Sequence, residues 1–230
     1  MRLKRYANPH WAALRARSAF EGWVPDRLLM DAIGRTSRYS AEPEVTSLRH
    51  LIDAERTAID IGAAYGLYSW NLVRHCRRCV AFEANPASAA RLARGLPGVE
   101  VHACALSNRE GTARLRIPRR HGISVTGYGT LESTFRSDFQ MWDEVAVPTR
   151  TLDSFGIESV GFIKIDVEGH ELAVLQGGEQ TIRRNRPMLL LEFNSHCVNE
   201  EAREIIEWLG YLNYHAQPFS SKSNTLFVSR

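Results

Sequence analysis

The chain has 230 residues, 44% hydrophobic and 24% charged, which suits one soluble-type α/β domain with a substantial core. No run approaches the roughly 20 apolar residues of a membrane helix, no apolar stretch follows the basic N-terminus to make a secretory signal, and four cysteines at this length exclude a disulfide scaffold. The net charge of +3 is uneven, with eight Lys/Arg against three Asp/Glu in residues 1–38.

Residues 1–41 are expected to form a basic helical extension, and the bland reading of its charge is a solvated helix face. The same charge is compatible with peripheral contact to a membrane surface or an anionic glycan. No interleaving of aromatic and basic residues accompanies it, so no nucleic-acid partner is expected. Residues 42–230 are read as the main domain. Glu42 to Ala54 has helical spacing in Val45, Leu48, Leu51 and Ile52. Thr57–Ile61 is a short apolar run ending near Asp60, followed by Gly62 and, four residues later, by Gly66 at the start of a helix to about Arg74. Glycines allow a sharp bend and a close ligand approach, as a buried strand turning into a helix requires at a nucleotide site.

A second strand, Cys79–Glu83, ends in an acid about twenty residues after that turn, where a carboxylate can accept hydrogen bonds from both ribose hydroxyls. Asn85-Pro86 opens a helix through Arg94, with Pro86 in the tolerated first turn. A third strand covers Val99–Ala103. Regularity breaks over residues 109–150, where the β-prone pieces Ala113–Ile117 and Glu144–Thr149 are separated by Arg119-Arg120-His121-Gly122 and Gly127-Tyr128-Gly129. An insertion of this kind is a natural substrate wall, and Tyr128, Phe135 and Trp142 could stack on a sugar ring. The strand Gly161–Asp166 restores the pattern. A turn at Val167–Glu171 follows, then a helix interrupted at Gly177-Gly178, a strand Met188–Phe193, a helix Glu200–Leu209, and a closing hairpin of Tyr211–His215 with Thr225–Val228. Alternating strands and helices predict an α/β fold with a mostly parallel sheet covered by helices on both faces. The single Cys76-x-x-Cys79 has no second pair and reads as buried thiols rather than a zinc or redox site.

Six ordered blocks carry a family resemblance: Asp60-Ile61-Gly62-Ala63-x-x-Gly66-Leu67-Tyr68-Ser69, Phe82-Glu83-x-Asn85-Pro86, Ala105-Leu106-Ser107-Asn108, Arg150-Thr151-Leu152-Asp153-Ser154-Phe155, Ile163 to Glu171, and Arg186-Pro187 with Leu191-Glu192-Phe193. Together they closely resemble the FkbM family of S-adenosylmethionine-dependent methyltransferases, over roughly residues 40–228. Ala64 departs from the pattern, standing where such families often have Asn. The resemblance implies a Rossmann-like class I methyltransferase sheet with a C-terminal antiparallel hairpin strand, and O-methylation. It implies that Asp60, Gly62 and Gly66 form the cofactor turn, with Ala63 and Tyr65 near the methionine portion. Glu83 would bind the ribose beside Ala84 and Asn85, Ala105, Leu106 and Ser107 would lie by the adenine, and Asp166 near the methionine amino end.

The strand–turn–acid arrangement alone does not exclude a dinucleotide. Its Gly-x-Gly-x-x-Gly register is absent, however, because Ala64 holds the middle position. Methyl transfer to an alcohol needs a near-linear approach and a group that takes the hydroxyl proton. Asp166, Glu168, His170 and Glu192 are the candidates, with Asp166 favoured as a cofactor contact. The competing reading of His170 and Glu171 is a capped helix turn. Lys164 is expected in a buried ion pair. A divalent metal held by Asp166, Glu168, Glu192 and Asn194 is chemically possible but not demanded by the spacing. The expected acceptor is a hydroxyl of a sugar, glycan, glycolipid or secondary metabolite, with a carboxylate or nitrogen acceptor, or a non-catalytic binding module, as alternatives. Cytoplasmic residence is expected.

Overall fold

The computed structural model describes residues 24–36, 43–120, 123–132, 141–192, 201–217 and 224–229. The stretch 1–23 of the basic extension, His121, Gly122, Phe135, Phe193, Asn194 and Glu200 therefore lie outside the described residues. In chain order the elements are α1 (Asp26–Thr36), a 3-10 segment (Pro43–His50), β1 (Thr57–Ile61), α2 (Leu67–Leu72), β2 (Arg78–Phe82), α3 (Pro86–Gly95) and β3 (Val99–His102). Then follow β4 (Ala105–Leu106), β5 (Gly111–Arg120), β6 (Ile123–Ser124), β7 (Met141–Arg150), β8 (Val160–Ile165), α4 (Glu171–Gly177), α5 (Glu179–Asn185), β9 (Met188–Glu192), α6 (Glu201–Tyr211), β10 (Tyr214–Gln217) and β11 (Asn224–Ser229).

Among the described residues, seven strands make one sheet in the order β10-β11-β9-β8-β1-β2-β3. The run from β9 to β3 is parallel, while β11 lies antiparallel between β9 and β10. Side-chain alternation divides the core between the two faces. Ile59, Ile61, Val80, Phe82, Ile163, Ile165, Leu189 and Leu191 meet α4, α5 and α6 through Val174, Leu175, Ile182, Ile205 and Leu209. The opposite face carries Ala58, Cys79, Ala81, Phe162 and Leu190 under Met30, Leu48, Leu72 and Leu92 of α1, the 3-10 segment, α2 and α3. β1 and β8 are buried at every position, as interior strands covered on both faces must be.

Several boundaries differ from expectation: the insertion strands β5 and β7 extend beyond Ala113–Ile117 and Glu144–Thr149 at both ends, and two differences fall on helices. The segment expected as a helix over 42–54 is 3-10 over Pro43–His50; its apolar residues Val45, Leu48 and Leu51 recur every three residues, which matches three residues per turn. Tyr211, expected in the hairpin, ends α6 with its side chain exposed, because the apolar stripe Ile205, Leu209, Leu212 carries the helical pattern past it. The insertion builds a second, four-stranded sheet, β4-β7-β5-β6, around the long antiparallel β5–β7 pair. Its apolar face, Leu115, Ile117 and Val147, closes on Ala105, with Ala84 and Leu131 packed against the group. The hairpin thus shares its small core with the strand ends of the main sheet, and this places it beside the site.

Candidate functional site

The turn after β1 is set by backbone conformation. Gly62 has φ +81°, and a Cβ there would stand 1.8 Å from the main-chain oxygen of Asp166. Only glycine lets the ends of β1 and β8 come this close. Ala64 is also left-handed, at φ +44°. This is a region that Asn tolerates better than Ala. Gly66, at φ +77°, faces Leu92 and Met30 rather than open space, so it serves the packing of α2 on α3 and α1. Asp60 is buried behind the turn and accepts a 2.5 Å hydrogen bond from the Ser69 hydroxyl of α2, pinning helix to strand. Burial pushes its carboxyl up to about 6.

Glu83 follows β2 and is 6% exposed. One carboxylate oxygen accepts the Ala64 N–H at 2.6 Å and the other accepts the Asn85 N–H at 2.7 Å. Burial raises this carboxyl to about 7, against the lowering effect of those two backbone donors. Each oxygen keeps a further lone pair, so the carboxylate can still accept two hydroxyls. Asn85 itself caps α3 by accepting from the Ala87 N–H at 3.0 Å.

At the ends of β8 and β9 stands a second acidic group. Lys164 is fully buried beside Asp60 in the strand register, 3.5 Å from Asp166 and 5.0 Å from the Tyr68 ring centroid. Glu192 shares a hydrogen bond with Asp166, and burial followed by the charge of Asp166 drives its carboxyl far above the ordinary range. Among the described residues, no group of three or more His, Cys, Asp or Glu side chains is placed to hold a metal ion.

The turn after β8 is strained and strapped. Glu168 (φ +54°) and Gly169 (φ +97°) are consecutive left-handed residues. Glu171 is buried and accepts the N–H groups of Val167 and Gly169 at 3.1–3.2 Å, which is a capping role. His170 meets Glu132 through Nδ1 at 2.7 Å and the Ser107 hydroxyl through Nε2 at 3.0 Å. The insertion reaches this turn again where the Thr130 hydroxyl donates to the Glu168 carbonyl at 2.7 Å. Gly127 N–H also approaches the Tyr65 hydroxyl at 3.4 Å.

These segments enclose a cleft, open to solvent, at the carboxyl ends of the parallel strands. That is where open α/β sheets bind ligands. Of the residues singled out from the sequence, Gly62, Glu83, Ala84, Ala105, Leu106, Asp166, Glu168 and His170 line it. Asp60, Ala63, Tyr65, Gly66, Asn85 and Ser107 are not among the lining residues. Glu192 reaches the same strand ends through Asp166. Sequence reasoning missed Ile61, Ala64, Phe82, Cys104, Leu115, Gly127, Gly129, Leu131 and Val167 as lining residues, and Glu132 as the partner of His170. The Gly127-Tyr128-Gly129 pair was the one local signal, since two glycines so close mark a tight backbone approach.

Comparison with known proteins agrees with this architecture. The family described as "Methyltransferase FkbM domain" matches residues 60–216. The crystal structure of methyltransferase FkbM from Methylobacillus flagellatus KT shares 17% identity and a TM-score of 0.53, over 78% of this chain and 45% of that one. This chain thus spans less than half of that protein's length. A SAM-dependent methyltransferase from Aquifex aeolicus gives 14% identity and a TM-score of 0.49, covering 86% of this chain and 95% of that chain. A putative methyltransferase from Streptococcus mutans in complex with SAH gives 10% and 0.49, covering 80% and 93%. No curated protein matches the sequence significantly.

Proposed function

Because the chain belongs to the FkbM methyltransferase domain family, we propose that it is an S-adenosylmethionine-dependent O-methyltransferase acting on a hydroxyl of a sugar, glycan, glycolipid or secondary metabolite. The observation that carries the cofactor reading is Glu83, a buried carboxyl that faces the cleft and is held by two backbone donors with lone pairs to spare. A buried carboxylate of this kind suits a vicinal diol. The apolar walls beyond it, Ala84, Ala105, Leu106, Leu115 and Leu131, suit a planar base. When bound, the cofactor supplies an electrophilic methyl on a sulfonium.

The chain's own part is to orient the acceptor and take its proton. Burial and the neighbouring Asp166 push the Glu192 carboxyl up, which favours its protonated form over the base. Asp166 is engaged with Lys164 and Glu192. His170 has both ring nitrogens committed to Glu132 and Ser107. Glu168 lines the cleft, and its left-handed backbone fixes it on the turn. Glu168 is our candidate base because it lines the cleft: the acceptor oxygen gains the methyl, the sulfonium leaves as a thioether, and the Glu168 carboxylate takes the hydroxyl proton. The free thiols of Cys76, Cys79 and Cys104 fit a reducing compartment and a cytoplasmic enzyme.

Isothermal titration with S-adenosylmethionine, followed by mass-spectrometric detection of methylated hydroxyl acceptors, tests the reading. Glu83→Ala should lose cofactor binding at least tenfold. Glu168→Gln should keep binding and lose turnover by roughly 10²–10⁴-fold. Unchanged affinity in Glu83→Ala would remove the cofactor assignment, and full turnover in Glu168→Gln would remove the base.

A further inference from the structure

Cys76 and Cys79 take no part in the cleft, and the sequence makes both look like buried thiols. The structure separates them. Cys79 is the second residue of β2, in register with Ala58 of β1 and Val99 of β3, and is 2% exposed in the core. Cys76 lies in the bend between α2 and β2, half-buried at the rim of the same apolar cluster. Its side chain turns back toward the strand, with Sγ reaching the Arg78 carbonyl oxygen at 3.2 Å. The two thiols are thereby brought into hydrogen-bond contact with each other.

That contact is unequal. The hydrogen bond to Cys76, followed by burial, pushes the Cys79 thiol far above its ordinary range, so Cys79 keeps its proton. The same hydrogen bond lowers the Cys76 thiol, aided by backbone groups of Ala58, Cys76 and Arg78 and opposed by partial burial. The accessible sulfur is thus the nucleophile, and the buried one stands directly behind it. Cys104, by contrast, is 6% exposed and raised to about 11 by burial. Around Cys76 the exposed residues Arg74, His75, Arg77 and Arg78 form a basic rim, with Arg74 and Arg78 also paired to Asp31 and Glu100. Such a rim suits an anionic reactant. Two sulfurs alone do not close a zinc site, and among the described residues no metal-binding group of His, Cys, Asp or Glu includes them.

We propose that Cys76 and Cys79 form a reversible dithiol–disulfide site that reacts with small anionic disulfides of the glutathione class. The Cys76 thiolate, its own proton lost to water, attacks one sulfur of the small disulfide, whose S–S bond breaks and releases one thiolate. Cys76 is then joined to the other half. Cys79 gives its proton to the released thiolate and attacks Cys76 Sγ. The protein S–S bond forms, and the second half leaves as a thiolate that takes a proton from water. Two protein thiols are oxidised and one small disulfide is reduced to two thiols. Cys79 needs no exposure, because its target is the sulfur it already touches and the leaving group departs outward from the rim. Once joined, Cys76 is no longer a thiolate open to irreversible oxidation. The site makes no use of the cofactor reading.

The test exposes the reduced full chain to glutathione disulfide at neutral pH, followed by alkylation, tryptic digestion and mass mapping. Trypsin cuts after Arg74, Arg77, Arg78 and Arg91, so the disulfide joins peptide 75–77 to peptide 79–91 and its mass identifies it. The linked pair should form in the folded protein, disappear with dithiothreitol, and form about tenfold or more faster than Cys104 is modified. Cys79→Ala should stop the reaction at a Cys76–glutathione adduct, and Cys76→Ser should leave Cys79 unmodified. An unmodified chain that accumulates the Cys76 adduct without the linked pair has only a lone surface thiol, and that result overturns the proposal. So does a folded chain in which neither cysteine reacts, or one in which Cys79 pairs with another cysteine. Thermal unfolding checks each variant, and the map of the unmodified chain decides the question even where a variant fails to fold.

Discussion

Replacing Gly62 by Ala tests what the glycine after β1 is for. The sequence suggests room for a ligand, whereas the structure puts the main-chain oxygen of Asp166 1.8 Å from where the new Cβ would stand. Ordinary contact at such a position begins near 3.4 Å, and the obstacle is backbone, so no rotamer change relieves it. The left-handed conformation costs an alanine about 1–2 kcal/mol, and forcing two packed strand ends apart adds about 1–3 kcal/mol. Gly62→Ala should therefore lose about 2–5 kcal/mol of stability in urea unfolding without ligand. Gly66→Ala is the matched control. Its φ is similarly positive, but the first obstacle is the Leu92 Cδ1 at 2.6 Å, the end of a flexible side chain. It should lose about 1–2 kcal/mol. If the two variants unfold at the same urea concentration, the close-approach argument is wrong. If Gly62→Ala keeps full stability and loses only cofactor binding, the glycine serves the ligand instead.

Three further outcomes follow from the buried groups. Ala64→Gly relieves a left-handed alanine at φ +44° and should raise stability by about 0.5–1 kcal/mol in the same urea assay, with the Glu83 contact retained. Glu83 is raised to about 7 and Asp60 to about 6, so both take up protons on folding; the stability they add is fully present near pH 4 and is lost as pH rises through 6 and 7. Between pH 5.5 and 8 the ligand-free protein should lose about 2 kcal/mol through Glu83, and Glu83→Gln should flatten that slope; an unchanged slope means Glu83 does not titrate there. Lys164→Met leaves the buried Asp60 and the partly exposed Asp166 without their cation and should cost about 3–5 kcal/mol at pH 8. Thermal unfolding should show a smaller loss at pH 5, where Asp60 takes a proton; equal losses at both pH values would exclude Asp60 from the pair.

Local information decided most of the frame. β1 was legible to the residue because an interior parallel strand is a continuous apolar run with a glycine turn after it. The pair Asn85-Pro86 marked α3 because one residue caps the N-terminus and the other fits only there. The 3-10 segment at 43–50 was misread because apolar spacing over two turns fits three residues per turn nearly as well as 3.6, and the end of α6 because its apolar stripe runs on to Leu212.

What the sequence by itself determined is thus the alternating order of strands and helices, the sharp turn after β1 and the acid that ends β2. All three follow from contacts within a few residues, so composition and spacing are enough to find them. Only the tertiary structure decided that Gly62 is required by the Asp166 carbonyl, that Glu192 lies against Asp166, and that Glu132 meets His170. Those contacts join positions 62 with 166, 166 with 192, and 132 with 170. Between such distant positions no periodicity runs, and the link exists only once the strand order and the long hairpin have closed over the cleft.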